Sequence, residues 1–235
     1  VLAACREAEE AYYILGNGSN LLVSDAGYPG VMVLLGSQFT EVVRPEGEPG
    51  VYELGAGVLL SRAAREAQKD GMTGFEFAAG IPGTVGGAAV MNAGAYGGEL
   101  KDVLESVRVM TPDGEVKELK TEELDLGYRH SCIPERGYIV LSARIRLEKG
   151  DPEAIRVAVD NKTTGFLRHL RTALLIAAKS GIFDQFSGEI ALRTLECASG
   201  TRIFQRLFFP PFGCQFIHPH PHRLRITFFQ TDPRR

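Results

Sequence analysis

The sequence has no C-x-x-C pair and no metal-ligand spacing. Its four cysteines, Cys5, Cys132, Cys197 and Cys214, lie far apart. A zinc site or a disulfide framework is therefore not expected, and the thiols read as free groups in a reducing compartment. No apolar run is long enough to span a bilayer: TALLIAAKSGIF is short and is broken by Lys179. The opening stretch, VLAACREAEEAYYILG, has no basic region ahead of an apolar core and so is not a signal peptide. It also lacks a methionine, and the chain reads as starting inside a longer protein. Positive charge is not in excess. A net charge of −3 and a pI near 6.0 argue against a general affinity for nucleic acid or for a membrane surface. A cytoplasmic protein is expected.

What is present is ordinary globular material: 235 residues, 44% hydrophobic and 23% charged, enough for one large domain or two small ones. The chain changes character near residue 156. Residues 1–156 carry a charge balance of −9 and 22 glycines, whereas residues 157–235 carry +6 and 5 glycines, with four of the five histidines. Such a joint shift marks a boundary.

The first part alternates short strands and turns. AYYILG (11–16) and GVMVLL (30–35) carry buried-strand signals, and VYELGAGVLL (51–60) alternates before breaking at Gly55 and Gly57. SRAAREAQKDG (61–71) predicts a helix capped by Ser61, with Ala64 and Ala67 on one face and Gly71 at its end. VLESVRVMTPDGEVKEL (103–119) predicts two strands around Pro112-Asp113-Gly114, and YIVLSARIRLE (138–148) alternates from Ala143 onward. The pattern is α+β rather than regular βαβ units. In the second part, 166–184 has the spacing of an amphipathic helix; the aromatic, proline-broken stretch after it has no clear period.

Three stretches carry chemistry. GNGSNLLVSD (16–25) is a glycine-rich turn after a strand. Its backbone N–H groups and the side chains of Ser19 and Asn20 suit phosphate oxygens, although an ordinary β-turn reads the same way. It is not the Rossmann fingerprint, because no third glycine opens a helix. AGIPGTVGGAAVMNAGAYGGEL (79–100) holds seven glycines between Gly80 and Gly98 and no charge before Glu99. Such backbone can lie directly against a flat polar cofactor; a tight glycine-rich packing contact is the alternative. Asn92 has the groups to pair with a heterocycle edge. LGYRHSCIPE (126–135) sets Tyr128, Arg129 and Ser131 close together, and Arg129 is suited to clamp a carboxylate; a salt-bridged surface arginine is the plainer reading.

Together these stretches resemble the UDP-N-acetylenolpyruvoylglucosamine reductase family, through ILGNGSNLLVSDAGYPGVMV, GFEFAAGIPGTVGGAAVMNAGAYGGEL and LGYRHS in matching order and separation over about residues 1–156. The Tyr-Arg-x-Ser form at 128–131 is similar to the subtype with the shorter substrate domain. The resemblance implies an FAD-binding domain of vanillyl-alcohol-oxidase type with two subdomains, followed by a substrate-binding domain. It implies noncovalent FAD, NADPH as hydride donor, a UDP-sugar substrate and a monomer. On this resemblance Gly16, Asn17, Gly18, Ser19, Asn20 and Leu21 hold the pyrophosphate. Gly80, Ile81, Pro82, Gly83, Gly86, Gly87, Asn92, Ala93 and Gly94 line the cofactor. Tyr128 and Arg129 meet the substrate, with Arg129 polarising its carboxylate while a serine donates the final proton and a late glutamate assists.

The second part departs from that family. No Ser-Ala-Gly-Ser turn follows Arg129: Ser180, Ser187 and Ser199 lack the context, and the last glutamate is Glu196. Residues 157–235 therefore read as an unrecognised tail in place of the family's substrate domain, with a native and an out-of-frame origin both open. A flavin-binding fragment without turnover is the alternative function. A covalently flavinylated relative is disfavoured, since neither glycine-rich segment holds a His or Cys to attach the ring. His218, His220 and His222 alternate with proline without a carboxylate or cysteine nearby, and no metal is expected there.

Overall fold

The computed structural model describes residues 1–23, 27–179, 215–218 and 225–228. In chain order the elements are α1 (Leu2–Glu7), β1 (Tyr12–Leu15), β2 (Leu21–Val23), β3 (Val31–Leu34), β4 (Val42–Val43), β5 (Val51–Gly55), α2 (Leu60–Lys69), β6 (Met72–Thr73), α3 (Val85–Met91), β7 (Gly94–Ala95), β8 (Gly98–Glu99), β9 (Leu104–Met110), β10 (Val116–Lys120), β11 (Ile139–Arg146), β12 (Glu148–Lys149), α4 (Pro152–Lys179), β13 (Gln215–His218) and β14 (Arg225–Phe228). They form two compact units. The class is α+β, as expected.

The smaller unit comprises Val1–Tyr13, Gly18–Val33 and Leu167–Arg235. In it β2 pairs in parallel with β13, and β13 pairs antiparallel with β14. β3 pairs with β1. The sequence marks β3 as buried, yet Val31, Met32 and Leu34 are exposed. A two-stranded ribbon covers only part of its surface, so a run of apolar residues does not guarantee burial.

The larger unit comprises Ile14–Asn17 and Leu34–Phe166. Its centre is a five-stranded sheet in the order β10-β9-β11-β5-β4. Every pairing is antiparallel. The β9–β10 hairpin turns at the expected Pro112-Asp113-Gly114, with Gly114 at φ +88°. β11 alternates: Ala143, Ile145 and Leu147 are buried while Arg144 and Arg146 face outward. The core gathers Leu54, Val107, Val109, Ala143 and Ile145 from the sheet with Leu60, Ala63, Ala64 and Ala67 of α2 and Val85, Ala88 and Ala89 of α3.

α2 starts one residue before the expected Ser61 cap. Leu59, in extended conformation, is its N-cap and makes no side-chain cap bond. The Leu60 amide instead donates to the Gly83 carbonyl at 3.0 Å, so a neighbouring segment satisfies an end that a serine would otherwise cap. The change in composition near residue 156 falls inside α4, whose Ile155 and Val159 pack into the core.

Candidate functional site

The two glycine-rich stretches meet within the larger unit. The Asn17 amide donates to the Pro82 carbonyl at 2.7 Å. A side chain on Gly16 would place its first carbon 2.6 Å from the Thr84 hydroxyl. Glycine at 16 is thus what lets β1 deliver its turn against the start of α3. Gly18 adopts φ +68°, a conformation costly for residues with a side chain. Gly18, Ser19, Asn20 and Leu21 belong to the smaller unit, and Leu21 opens β2.

The glycines of the second stretch divide into two kinds. Gly80, Gly86 and Gly94 are enclosed by protein. A first side-chain carbon would lie 2.7 Å from the Lys162 carbonyl at Gly80, 2.9 Å from Ala56 Cβ at Gly86, and 2.7 Å from the Gly98 carbonyl at Gly94. These three, expected against the cofactor, are glycine because backbone or a neighbouring Cβ occupies the side-chain position. Gly83 and Gly87 differ. Their nearest atoms would be 3.6 Å and 3.5 Å away, ordinary contact, so packing does not require glycine there. Gly87 lies exposed in the first turn of α3. Bare backbone that the fold itself does not demand is what close approach by a flat ligand calls for, and the residues fit FAD in that respect.

The first amides of α3 are already engaged. Val85 donates to Val58 O and Gly86 to Ala56 O, both at 2.8 Å, and Gly87 donates to Thr84 Oγ1 at 3.3 Å. Ile81 and Ala93 are half-buried, each closing a local turn: the Ile81 amide donates to Ala78 O and the Ala93 amide to Ala88 O.

Asn92 does not present a free edge. It is 2% exposed, with φ +41° at the end of α3. Its amide nitrogen donates to Glu99 Oε2 at 2.8 Å and to Gly127 O at 3.0 Å, and its Oδ1 accepts from the Lys101 amide at 3.0 Å. Both N–H groups and one acceptor lone pair are used inside the protein, which corrects the expectation of pairing to a heterocycle. Glu99 is held below its ordinary carboxylate value, first by the bond from Lys101 and then, against partial desolvation, by the one from Asn92.

The third stretch forms a tight turn. Gly127 and His130 exchange backbone bonds of 3.2 and 3.3 Å, with Tyr128 and Arg129 at the tip. Tyr128 is exposed, and Arg129 is half-buried with φ +53°. Ser131 does not share this exposed tip. It is buried, and its hydroxyl donates to Val90 O at 2.7 Å. The Asn92–Gly127 and Ser131–Val90 bonds join the Arg129 turn to the C-terminal end of α3, so the second and third stretches form one assembly. Sequence reasoning missed this junction; a buried Asn after a short helix was its only local sign.

Among the described residues no cluster of metal-binding side chains occurs, and no helix is long and apolar enough to cross a membrane. Cys5 and Cys132 are buried free thiols. Ser180, Ser187, Glu196, Cys197, Ser199, Cys214, His220 and His222 lie outside the described residues, as does the side chain of His218.

Comparison with known proteins agrees with these motifs. The chain is 41% identical over 192 residues to the UDP-N-acetylenolpyruvoylglucosamine reductase of Alkaliphilus metalliredigens, covering 82% of this chain and 62% of that protein. It is 39% identical over 203 residues to the same enzyme of Clostridioides difficile, covering 83% and 63%, and 48% identical over 152 residues to that of Agathobacter rectalis, covering 61% and 48%. The two longer alignments run past residue 156. The chain spans about half to two thirds of the length of these curated relatives. A crystal structure of the UDP-N-acetylenolpyruvylglucosamine reductase of Thermus caldophilus superposes with a TM-score of 0.58 at 39% identity, covering 69% of this chain and 58% of that one. The profile of the FAD binding domain family matches residues 1–120, half of the chain, and the chain belongs to that family.

Proposed function

We propose that this chain binds FAD noncovalently and takes part in the NADPH-driven reduction of UDP-N-acetylenolpyruvoylglucosamine to UDP-N-acetylmuramate, a cytoplasmic step of peptidoglycan synthesis carried out by a monomer. The observation that carries the reading is the joining of α3, whose first turn holds the open Gly87, to the Arg129 turn through Asn92 and Ser131. That connection supports a reading in which the exposed Gly87 backbone and the Arg129 cation serve one ligand. The family's FAD-binding profile and the similarity to the named reductases support it.

Bound FAD supplies the two-electron relay between NADPH and the enolpyruvyl double bond. The chain's residues do the rest. Gly83 and Gly87 leave room for the cofactor to approach, and the loop Gly16–Leu21 receives its pyrophosphate. Tyr128 and Arg129 meet the substrate. The Arg129 guanidinium pairs with the substrate carboxylate and stabilises the negative charge that builds as hydride arrives.

A second reading, a flavin-binding chain without turnover, is favoured by one observation: residues 157–235 contain no Ser-Ala-Gly-Ser turn. General acid catalysis is worth about a hundred- to ten-thousandfold, so its loss would leave flavin binding intact and reduction negligible.

Flavin absorbance of the purified protein, released by acid precipitation, tests the cofactor. Gly18→Val should lose it, and equal flavin content would remove that loop from the site. Anaerobic reoxidation of the chemically reduced flavin by the enolpyruvyl substrate then separates the two readings: fast return of the oxidised band supports the reductase, and its absence supports the fragment.

A further inference from the structure

We propose that Asn92 is the positioning residue for Arg129, locking the turn that carries the arginine to the helix whose first turn holds the open Gly87. The proposal rests on the function assigned above to Arg129.

The turn is weakly closed by itself. Its Gly127–His130 backbone bonds are 3.2 and 3.3 Å, at the long end for N–H···O pairs. Its second tip residue, Arg129, is left-handed at φ +53°, which costs a residue with a side chain about 1–2 kcal/mol. Such a conformation persists only where its surroundings impose it. Asn92 grips the turn at its entry through Gly127 O, and Ser131 grips it at its exit through Val90 O. The turn that carries Arg129 is thereby tied from both sides to the C-terminal end of α3.

Asn92 satisfies demands that few other side chains meet together. The position is left-handed, which favours Gly, Asn or Asp. It needs two donors, for Glu99 and Gly127 O, and one acceptor, for the Lys101 amide. Aspartate would lose both donors and set a second carboxylate against Glu99. Glycine would keep the backbone and lose all three bonds. The same amide ties the β7–β8 hairpin, through Glu99, to the Arg129 turn, so a movement of either segment is felt by the other.

The test uses the full FAD-loaded chain and the variants Asn92→Gly, Arg129→Lys and their double. Each is titrated with UDP-N-acetylenolpyruvoylglucosamine while the visible flavin band is followed. Asn92→Gly should weaken binding roughly tenfold, the scale of one buried hydrogen bond. The double variant should bind no more weakly than Arg129→Lys alone, because Asn92 acts through Arg129. Additive losses would make Asn92 a general stabilising residue and overturn the proposal. Hydrogen–deuterium exchange judges the lock without substrate: Asn92→Gly should speed exchange at Gly127 and His130 about tenfold while β9 and β11 stay protected. An unchanged turn overturns the proposal even where the wild type binds the sugar. A loosened turn, with wild type and Arg129→Lys responding alike to the sugar, instead sinks the function assigned to Arg129 and upholds the lock.

Discussion

The two faces of β11 are held by different chemistry. On one, Arg144 pairs with Glu48, with Glu53 at 2.9 Å and with Glu105 at 3.0 Å, and Arg146 pairs with Glu105. On the other, Ala143 and Ile145 are each 1% exposed in the core that α3 shares. The buried polar side chains around α3 are neutral, Thr84, Asn92 and Ser131, although Asn92 also reaches the partly exposed Glu99 carboxylate. The charged face is assembled by register, since Glu53 lies directly across from Arg144. It stays near water, where each pair contributes about 1 kcal/mol or less. The neutral side has no water to substitute for a lost partner, so each broken bond there costs more. The geometry of the proposed site is therefore fixed on the neutral side, and the charged side tolerates change.

The steepest test of this contrast is Gly86→Val. Its first side-chain carbon would lie 2.9 Å from Ala56 Cβ and 3.1 Å from Ala56 O, and neither can swing away. Overpacking of this kind should cost about 3 kcal/mol, read as a fall in the urea midpoint. A midpoint within error of wild type would mean that α3 is not seated on Ala56.

Ser131→Ala comes next. It leaves Val90 O without its 2.7 Å partner in a buried site, and should cost about 2 kcal/mol. A loss no larger than that from Arg146→Met, which breaks the pair with Glu105, would erase the distinction between the two faces.

One residue along from Gly86, the sign should reverse. Gly87→Ala adds a methyl where the nearest atom is 3.5 Å away, so the helix should gain about 0.5–1 kcal/mol. Flavin content should nevertheless fall, because the methyl occupies space that the proposed function gives to the cofactor. Higher stability with undiminished flavin would take Gly87 out of the cofactor surface.

That pair also marks how far the sequence could be read. The strands of the central sheet were legible because their burial alternates, as in Ala143, Ile145 and Leu147, and the β9–β10 turn was legible from Pro112-Asp113-Gly114. Gly86 and Gly87 are indistinguishable as letters. Only the approach of Ala56, thirty residues earlier in the chain, makes one a packing residue and leaves the other open. Asn92 hid for the same reason: its partner Gly127 lies 35 residues away. Ser61 misled because a serine beside a helix start signals a cap only when no neighbouring carbonyl takes the first amide. The left-handed Arg129 carried no sign at all, since arginine has no preference for that conformation.

The smallest effect belongs to the charged face and depends on pH. Partial burial alone would raise the Glu105 carboxyl, but the bonds from Arg146 and Arg144 outweigh it and hold the group below its ordinary value. A carboxylate lowered in the folded state adds stability that is fully present above its unfolded pKa, about 4.3 for glutamate. That stability is lost as pH falls through the lower folded value. Glu105→Gln should therefore cost about 0.5–1 kcal/mol at pH 7, with the gap to wild type closing as pH drops well below 4. Because the pairs lie near solvent, 0.5 M salt at pH 7 should also narrow the gap. Urea unfolding of both proteins at pH 7 and pH 3, with and without salt, measures it. A difference of 2 kcal/mol or more that ignored pH and salt would place Glu105 in the buried, neutral class with Ser131, and the contrast between the two faces of β11 would not hold.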